Sequence, residues 1–317
     1  MLPTTTPVES RHALLRLGAL LKHAGYDFVT ISTPSHRRVN GRPGNETASD
    51  ARGVFGWSRP FGDGVLEEQI MTLMRKAGIL DERDGVSRSA VRASTLDGQL
   101  YFHSAFPTRD ADSVFFGPDT YRYVRVLHAA LAAPAEIRRA IDIGCGAGPG
   151  AMTIALRLPQ AEVWAVDINP KALELTACNA ALAGIKNLRI AHSDLLQGVD
   201  GTFDLIVSNP PFMVGVGDRL YCDGGGVLGE GLSVAIVNAA MTRLAPGGRL
   251  VMYTCVAIVD GVDLFREHVE ALLTTAGLAF AYREIDPDVF GGELSGEGHE
   301  YTDRIAAVEL TATAPYP

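Results

Sequence analysis

From Leu131 onward, short apolar runs alternate with segments of helical periodicity, and this alternation constrains the fold more than any other feature. The apolar runs lie at residues 140–143, 162–166, 188–191, 203–207, 249–254, 279–285 and 304–310, with helical segments at 149–158, 171–183 and 231–244. Such alternation is typical of a parallel sheet covered by helices on both faces. Because no helical segment separates the last two runs, the final strand is expected to pair antiparallel. The sequence therefore predicts an α/β fold with a Rossmann-like sheet.

The first 114 residues differ from the rest in pattern and predict a separate domain. Leucines at helical spacing predict a helix over 9–24, and a second apolar face predicts one over 64–78. Two short runs flank a glycine-containing turn within 89–104, which is typical of a β-hairpin. Helices followed by a hairpin predict a small α+β, winged-helix-like domain for substrate recognition over 1–114, followed by a larger domain over 115–317.

Charge is divided unevenly between these two regions. The chain carries a net charge of −9, whereas residues 1–112 hold 14 basic and 13 acidic side chains. The acidic remainder disfavours bulk nucleic-acid binding, which needs a basic face to neutralise phosphates. A basic cluster does occur in segment 33–52, which its proline and glycine content predicts to be a loop. The cluster is expected either to be solvated or to contact a polyanion; it comprises His36, Arg37, Arg38 and Arg42.

Composition also bears on the cellular setting. No apolar stretch reaches the roughly 18 residues of a membrane helix, and the first residues lack the apolar run of a secretory signal. The four cysteines, Cys145, Cys178, Cys222 and Cys255, are widely spaced, which argues against a zinc site or a disulfide framework. We therefore expect a cytoplasmic protein that binds neither a metal ion nor a membrane.

A glycine-rich turn joins the first strand of the larger domain to a helix. Asp142 ends the strand, and Gly144, Cys145, Gly146 and Gly148 follow within the turn. Glycines let the backbone turn tightly and approach a ligand, and the helix N-terminus beyond them suits an anionic group. Dinucleotide-binding enzymes have such turns too, but the spacing here is G-x-G-x-G rather than G-x-G-x-x-G.

Acidic residues end the next two strands. Asp167 follows the second strand, where a carboxylate suits a ribose diol and the apolar Ile168 suits an adenine face. Asp167 has an alternative role as a helix N-cap before Pro170. Asp194 and Leu195 follow the third strand, where a polar group is placed to meet the adenine amino group, although a plain loop carboxylate is the alternative.

These motifs together resemble those of class I S-adenosylmethionine-dependent methyltransferases over about residues 115–317. The resemblance implies the cofactor S-adenosyl-L-methionine, the product S-adenosyl-L-homocysteine, and the sheet order 3-2-1-4-5-7-6 with an antiparallel last strand. It implies that the glycine turn cradles the methionine moiety and that Asp167 binds the ribose. The implied cofactor-binding residues are Asp142, Gly144, Cys145, Gly146, Gly148, Asp167, Ile168, Asp194, Leu195 and Asn209.

The fourth strand leads into the tetrapeptide Asn209-Pro210-Pro211-Phe212. Two prolines cannot continue a central strand, so the chain leaves the sheet here with a stiffened backbone. The Asn209 side-chain oxygen and the Pro210 carbonyl can then serve as two fixed acceptors for a planar –NH2 group. Phe212 supplies a flat apolar wall. A simple proline-rich end to the strand is the alternative.

The tetrapeptide resembles that of methyltransferases acting on adenine N6, guanine N2 or glutamine N5. The resemblance implies that Asn209, Pro210, Pro211 and Phe212 form the catalytic site and hold the target nitrogen. In-line placement supplies the catalysis, so neither a metal nor a strong base is required. Scattered histidines, at positions 103, 128 and 192, receive no catalytic role.

Three further segments bear on the acceptor. Residues 115–120 resemble the segment leading into the catalytic domain of release-factor glutamine methyltransferases, although Gly117 stands where those enzymes often have arginine. The glycine-rich stretch 221–232 resembles theirs after the proline loop, and a long insertion at 285–294 separates the last two strands. Phe116, Phe212 and Tyr221 are the predicted substrate-binding residues.

The acceptor most favoured by these resemblances is a glutamine side chain of a protein, such as a translation factor. The predicted hairpin argues against release factors as the substrate, because the front domain of release-factor methyltransferases is an all-helical bundle. Ribosomal or transfer RNA bases, a small molecule from a biosynthetic pathway, and a role in binding without catalysis stay open. The oligomeric state is open as well.

Overall fold

The computed structural model describes residues 6–83, 85–108, 110–133, 135–212, 224–226, 228–296 and 299–316. Within these, the chain forms two compact units. The first contains residues 6–108, 114–121 and 174–186; the second contains 110–113, 122–173 and the described residues from 187 onward. The division at 114/115 into a recognition domain and a methyltransferase domain stays a prediction.

The first unit is built from helices followed by two antiparallel strand pairs, β1–β2 and β3–β4. Its elements are α1 (Pro7–His23), α2 (Thr33–Asn40), α3 (Ala51–Phe55), α4 (Glu68–Ala77), β1 (Leu80–Arg83), β2 (Val86–Ser89), β3 (Val91–Leu96) and β4 (Gln99–Ser104). The hairpin predicted within 89–104 is confirmed as the pair β3–β4. The pair β1–β2 was not predicted, and the likeness to a winged-helix module stays a prediction.

Local signals explain the helix boundaries in this unit. Thr6 and Glu9 form a reciprocal capping box at the start of α1, so the helix predicted over 9–24 is confirmed. Gly78 ends α4 with a φ of +67°, a left-handed conformation that favours glycine. The prediction of a loop over 33–52 is wrong for its first part, because α2 occupies Thr33–Asn40. The proline there lies in the first turn of the helix, where it is tolerated, rather than breaking it.

The second unit contains a mixed β-sheet, and helices connect the parallel strands of that sheet. Its strands are β5 (Arg139–Ile143), β6 (Glu162–Asp167), β7 (Leu188–His192), β8 (Phe203–Ser208), β9 (Leu244–Val259), β10 (Val262–Asp263), β11 (Ala279–Asp286) and β12 (Thr302–Thr313). The remaining helices are α5 (Pro118–Ala132), α6 (Pro149–Arg157), α7 (Pro170–Leu182), α8 (Gly231–Arg243) and α9 (Leu264–Thr275); α5 and α7 contribute residues to both units.

The strand order confirms the predicted topology. The strands are arranged β7-β6-β5-β8-β9-β12-β11, which is the order 3-2-1-4-5-7-6, and β12 is antiparallel to both of its neighbours. The short strand β10 pairs with the end of β9. The core between sheet and helices is formed by fully buried residues, among them Phe203, Ile206, Val237, Met252 and Val308.

The central strand β9 is much longer than its parallel neighbour. Pairing between β8 and β9 ends at Ser208 and Met252, whereas β9 continues to Val259 with β12 as its partner. The ribbon of β9 and β12 therefore extends past the carboxyl end of β8, which is the edge where open α/β sheets bind ligands. Among the described residues, none of the helices is both long and apolar enough to span a bilayer.

Candidate active site

The glycine turn follows β5 at the carboxyl edge of the sheet. Gly144, Gly146 and Gly148 have φ values of +69°, +56° and +88°, a region in which a side chain would be strained. The backbone N–H groups of Gly144 and Cys145 both donate to the carbonyl of Val166, at 2.9 and 3.0 Å. These bonds fix the turn against the end of β6. A Cβ built on Gly144 would meet no atom within 4 Å, so the turn opens onto free space there.

Asp167 connects this turn to the next strand. One of its carboxylate oxygens accepts from the Gly146 N–H and the other from the Asn169 N–H, both at 2.9 Å. Burial raises the pKa of Asp167, and the backbone donors, including those two, oppose that rise. Since a carboxylate offers about four acceptor positions, the two internal bonds leave capacity for a diol. The carboxylate therefore orders the turn and keeps acceptor positions open.

The residues predicted around the adenine lie on the same edge. Ile168 is 45 % exposed, an unusual state for a large aliphatic side chain directly after a buried strand. β7 pairs in parallel with β6, and the Ser193 N–H donates to the Asp167 carbonyl at 3.2 Å, which brings the following Asp194 to this edge. Asp194 is exposed, and Leu195 has a φ of +49°, which is uncommon away from glycine.

Asp142 has a different environment from Asp167. It is 1 % exposed, and its two oxygens accept from the Tyr123 hydroxyl at 2.9 Å and the Ala151 N–H at 2.8 Å. Burial raises its pKa to about 7, against the lowering effect of these two donors. A Cβ on Gly150 would lie 2.6 Å from both the Asp142 and Tyr123 oxygens, so only glycine fits beside them. Asp142 thus joins β5, α5 and the start of α6.

The tetrapeptide 209–212 leaves the sheet directly beside the glycine turn. β5 and β8 are parallel neighbours, and Ile143 pairs with Ser208. The Ser208 hydroxyl also donates to the Ile143 carbonyl at 2.8 Å. Asn209 and Gly144 are the next residues on the two strands, so both loops start from paired positions. Pro210 is buried, whereas the neighbouring members of the tetrapeptide are partly exposed.

Phe212 has an aromatic partner that the sequence did not reveal. Its ring centroid lies 5.0 Å from that of Phe290, which belongs to the insertion between β11 and β12. Phe290 has a φ of +57°, and the adjacent Val289 N–H donates to the Ile305 carbonyl at 2.7 Å. Strained φ values at large side chains are concentrated at functional sites. The two rings form one apolar wall after the proline loop.

The glycine-rich stretch and Phe116 complete the predicted set. A Cβ on Gly224 would lie 1.9 Å from the Gly229 carbonyl oxygen and 2.9 Å from the Phe212 Cα, so glycine is required there. Tyr221, which was predicted to bind substrate, lies outside the described residues. The ring of Phe116 is 3 % exposed and stacks on His103 at 5.0 Å within the first unit. Its role in substrate binding stays a prediction.

Tyr123 and Phe290 are the residues that sequence reasoning missed. Neither belongs to a motif: the tyrosine sits in a helix 19 positions before Asp142, and the phenylalanine lies in an insertion. Only the folded chain brings each one to its partner.

The arrangement fits S-adenosylmethionine by the chemistry of its groups. The left-handed glycines give a side-chain-free turn, the Asp167 carboxylate has acceptor capacity to spare, and Ile168 offers an apolar face. By contrast, the part of the chain that the structure describes contains no group of three or more His, Cys, Asp or Glu side chains arranged for a metal ion.

Comparison with known proteins shows the family to which this chain belongs. Residues 122–257 match the model of the methyltransferase small domain. The chain is 32% identical over 225 residues to the release factor glutamine methyltransferase of Deinococcus radiodurans, covering 66% of this chain and 76% of that protein. It is 40% identical over 78 residues to the ribosomal protein uL3 glutamine methyltransferase of Neisseria meningitidis serogroup A, covering 24% of this chain and 26% of that protein.

A solved structure shows a weaker likeness. The tRNA m1G37 methyltransferase of M. jannaschii is 16% identical with a TM-score of 0.48, and the match covers 72% of this chain and 55% of that one.

Proposed function

Because this chain belongs to the S-adenosylmethionine-dependent methyltransferases, in the family of the glutamine methyltransferases, we propose that it methylates the side-chain amide nitrogen of a glutamine in a protein. The acceptor class follows that of the two relatives, whose names specify a release factor and a ribosomal protein. Substrates of this kind support a cytoplasmic location for the enzyme.

The observation that carries this proposal is the pairing of Ile143 with Ser208. It starts the glycine turn and the Asn209 loop side by side at the carboxyl edge of the sheet. A group held by the Asn209 loop is therefore delivered next to whatever the glycine turn holds. Bringing the two reactants together in this way supplies most of what methyl transfer needs.

Each part of the site has a specific task in this mechanism. When bound, S-adenosylmethionine supplies an electrophilic methyl group on a positively charged sulfur. Asp167 and the glycine turn would hold its ribose and methionine parts, and Ile168 its adenine. The Asn209 side-chain oxygen and the Pro210 carbonyl accept the two N–H bonds of the acceptor amide and so orient its nitrogen.

The aromatic wall limits what the Asn209 loop can accept. Phe212 and Phe290 present two half-buried rings tilted by 51°, which suits the flat face of a carboxamide and excludes water from it. Residues 1–114 are proposed to recognise the protein that carries the glutamine.

Replacing Asn209 by alanine tests this function. We expect turnover to fall by about 100-fold or more, as when one positioned polar group is removed from an active site, while affinity for S-adenosylmethionine stays near that of the wild type. The measurement is transfer of labelled methyl into an extract of the source cell, separated into protein, RNA and small-molecule fractions. Calorimetry reports the cofactor affinity.

Asn238→Ala is the matched control, because that amide is exposed on α8 and bonds only within its own helix. Nuclease-resistant label in the protein fraction supports a glutamine acceptor and directs mapping of the modified residue. Label in the RNA or small-molecule fraction contradicts it, and full activity of Asn209→Ala removes the role given to the proline loop.

A further inference from the structure

The first unit contains a buried cationic cluster that the methyltransferase site does not use. Arg92 on β3 is 4 % exposed, and His36 on α2 is 1 % exposed. The Arg92 Nε donates to the Gly56 carbonyl at 2.9 Å, but its Nη2 has no hydrogen-bond partner among the described residues. Likewise, neither ring nitrogen of His36 has a hydrogen-bond partner among the described residues. Three buried nitrogen donors or acceptors are thus left open in one cluster.

A chain of aromatic contacts connects the two side chains, and the charge of Arg92 acts on His36. Arg92 lies over the Phe28 ring at 5.5 Å, and that ring contacts Trp57 edge-on at 5.3 Å. His36 lies 5.5 Å from the same Trp57 ring and 4.2 Å from the ring of Phe106. Trp57 and Phe106 are themselves only partly buried. The two rings that contact His36 therefore reach the surface of this unit.

Within the described part of the chain, no anionic side chain compensates the charge of Arg92. Burial lowers its pKa to about 10, which leaves the guanidinium charged at pH 7. The ionisable groups that favour its charge are the phenols of Tyr26 and Tyr121, and burial raises the pKa of each of them, so both are neutral. Among the described residues, none of the carboxylates forms an ion pair with it. An uncompensated buried charge is costly, and an anionic ligand would offset that cost.

His36 is a suitable second contact for such a ligand. Burial, followed by the charge of Arg92, lowers its pKa to about 4, so the ring is neutral at pH 7. The backbone of Trp57 raises that pKa in part, yet it forms no hydrogen bond of normal geometry with either ring nitrogen. A neutral imidazole has one N–H, which can donate to an anion beside the guanidinium.

We propose that the first unit binds a small carboxylate, held between the Arg92 guanidinium and the His36 imidazole beneath the rings of Trp57 and Phe106. The planar guanidinium matches the planar carboxylate better than it matches a spherical ion. Two open donors, the Arg92 Nη2 and the single N–H of the neutral His36 ring, suit one anionic group. The basic residues next to His36 on α2 are not part of this site, because Arg37 and Arg38 are exposed.

Thermal unfolding in increasing sodium formate, compared with sodium chloride at equal ionic strength, tests the proposal. We expect formate to raise the unfolding midpoint of the wild type saturably, by about 2–4 °C at ten times its dissociation constant. Arg92→Met should abolish this rise. Arg52→Met is the matched control that should keep it, since Arg52 lies over the same Phe28 ring at 5.8 Å but is exposed.

A second measurement covers the case in which Arg92→Met fails to fold. In wild-type protein with 15N-labelled histidine, formate should shift the His36 ring signals saturably at pH 7, while the signals of the exposed His12 and His23 stay in place. A shift with phosphate but not formate overturns the carboxylate class. Equal effects of formate and chloride, or an unsaturable shift shared by all histidines, overturn the site itself.

Discussion

Each of the two units buries an ionisable cluster, and the two clusters differ in how their polar atoms are satisfied. In the second unit, Asp142 accepts one hydrogen bond at each carboxylate oxygen, from Tyr123 and from the backbone of Ala151. In the first unit, Arg92 makes one hydrogen bond to the Gly56 carbonyl, and its Nη2 has no partner within the described part of the chain. Neither ring nitrogen of His36 in the same unit has a hydrogen-bond partner among the described residues.

The difference distinguishes a structural cluster, that of Asp142, from a candidate binding site, that of Arg92 and His36. A buried carboxylate whose acceptors are filled from two other elements holds those elements against its own strand, and removing it leaves their donors unpaired. A buried cation with open donors has paid the desolvation cost without the matching contacts, which is tolerable where a ligand supplies them. Substitution of Asp142 in the second unit should therefore be costly, whereas the cluster of Arg92 and His36 in the first unit should tolerate substitution better.

The largest effect is expected for Asp142→Ala. The change leaves the Tyr123 hydroxyl and the Ala151 N–H buried without an acceptor, at about 1–3 kcal/mol for each orphaned group. We expect the free energy of unfolding at pH 6 to fall by about 3–5 kcal/mol in chemical denaturation. The glycine turn loses its support as well, so affinity for S-adenosylmethionine should fall. A fall in the free energy of unfolding of less than about 1 kcal/mol would show that Asp142 does not hold these elements together.

A smaller effect is expected from the charge of Asp142 alone. Its pKa is about 7 in the folded chain, above the ordinary 3.8, so the folded state binds more protons than the unfolded state between these values. Stability contributed by this group is therefore present at low pH and declines as the pH rises towards 7. Relative to Asp142→Asn, the wild type should lose up to about 4 kcal/mol between pH 4 and 8.

The asparagine variant is a matched reference, since its oxygen can accept from Ala151 and its amide can donate to Tyr123 without titrating. The groups that face Asp142 and enter its titration are Tyr123 and Asp167, and Cys145 acts on Tyr123. Tyr123→Phe removes a hydrogen-bond donor that lowers the pKa of Asp142. The decline of stability with rising pH should therefore extend to higher pH in this variant. If the difference in stability between the wild type and Asp142→Asn does not change with pH, the raised pKa of Asp142 is contradicted.

The same contrast explains what the sequence could predict. The α/β class and the two loops at the carboxyl edge follow from local signals: apolar runs, glycines needed for positive φ, and prolines that end a strand. The strand order was implied by the resemblance to class I methyltransferases. Asp142, Gly144 and Asn209 are recognisable because each occupies a fixed position relative to a strand end. The hairpin β3–β4 has an equally local signal in its turn.

The remainder depends on contacts that no local pattern encodes. Tyr123 meets Asp142, and Phe290 meets Phe212, only through the packing of distant segments. The sequence indicated the cluster of His36 and Arg92 even less clearly. Segment 33–40 was predicted as a loop, and its histidine was grouped with arginines that are exposed. A helix whose first turn contains Pro34 turns that histidine inward.

The smallest effect is expected for His36→Leu, and its comparison with His103→Leu sharpens the argument. Both histidines are 1 % exposed in the first unit, but His103 bonds to the Ser94 hydroxyl at 2.8 Å, whereas His36 bonds to nothing described. Leucine is close to histidine in volume, so the packing cost should be similar at the two positions.

His103→Leu should cost about 1–3 kcal/mol of stability because it also breaks a buried hydrogen bond. His36→Leu should change stability by less than about 1 kcal/mol in formate-free buffer, since it removes two unsatisfied nitrogens. Chemical denaturation of both variants decides the point, and equal losses would mean that His36 has a partner inside the fold rather than a place for a ligand.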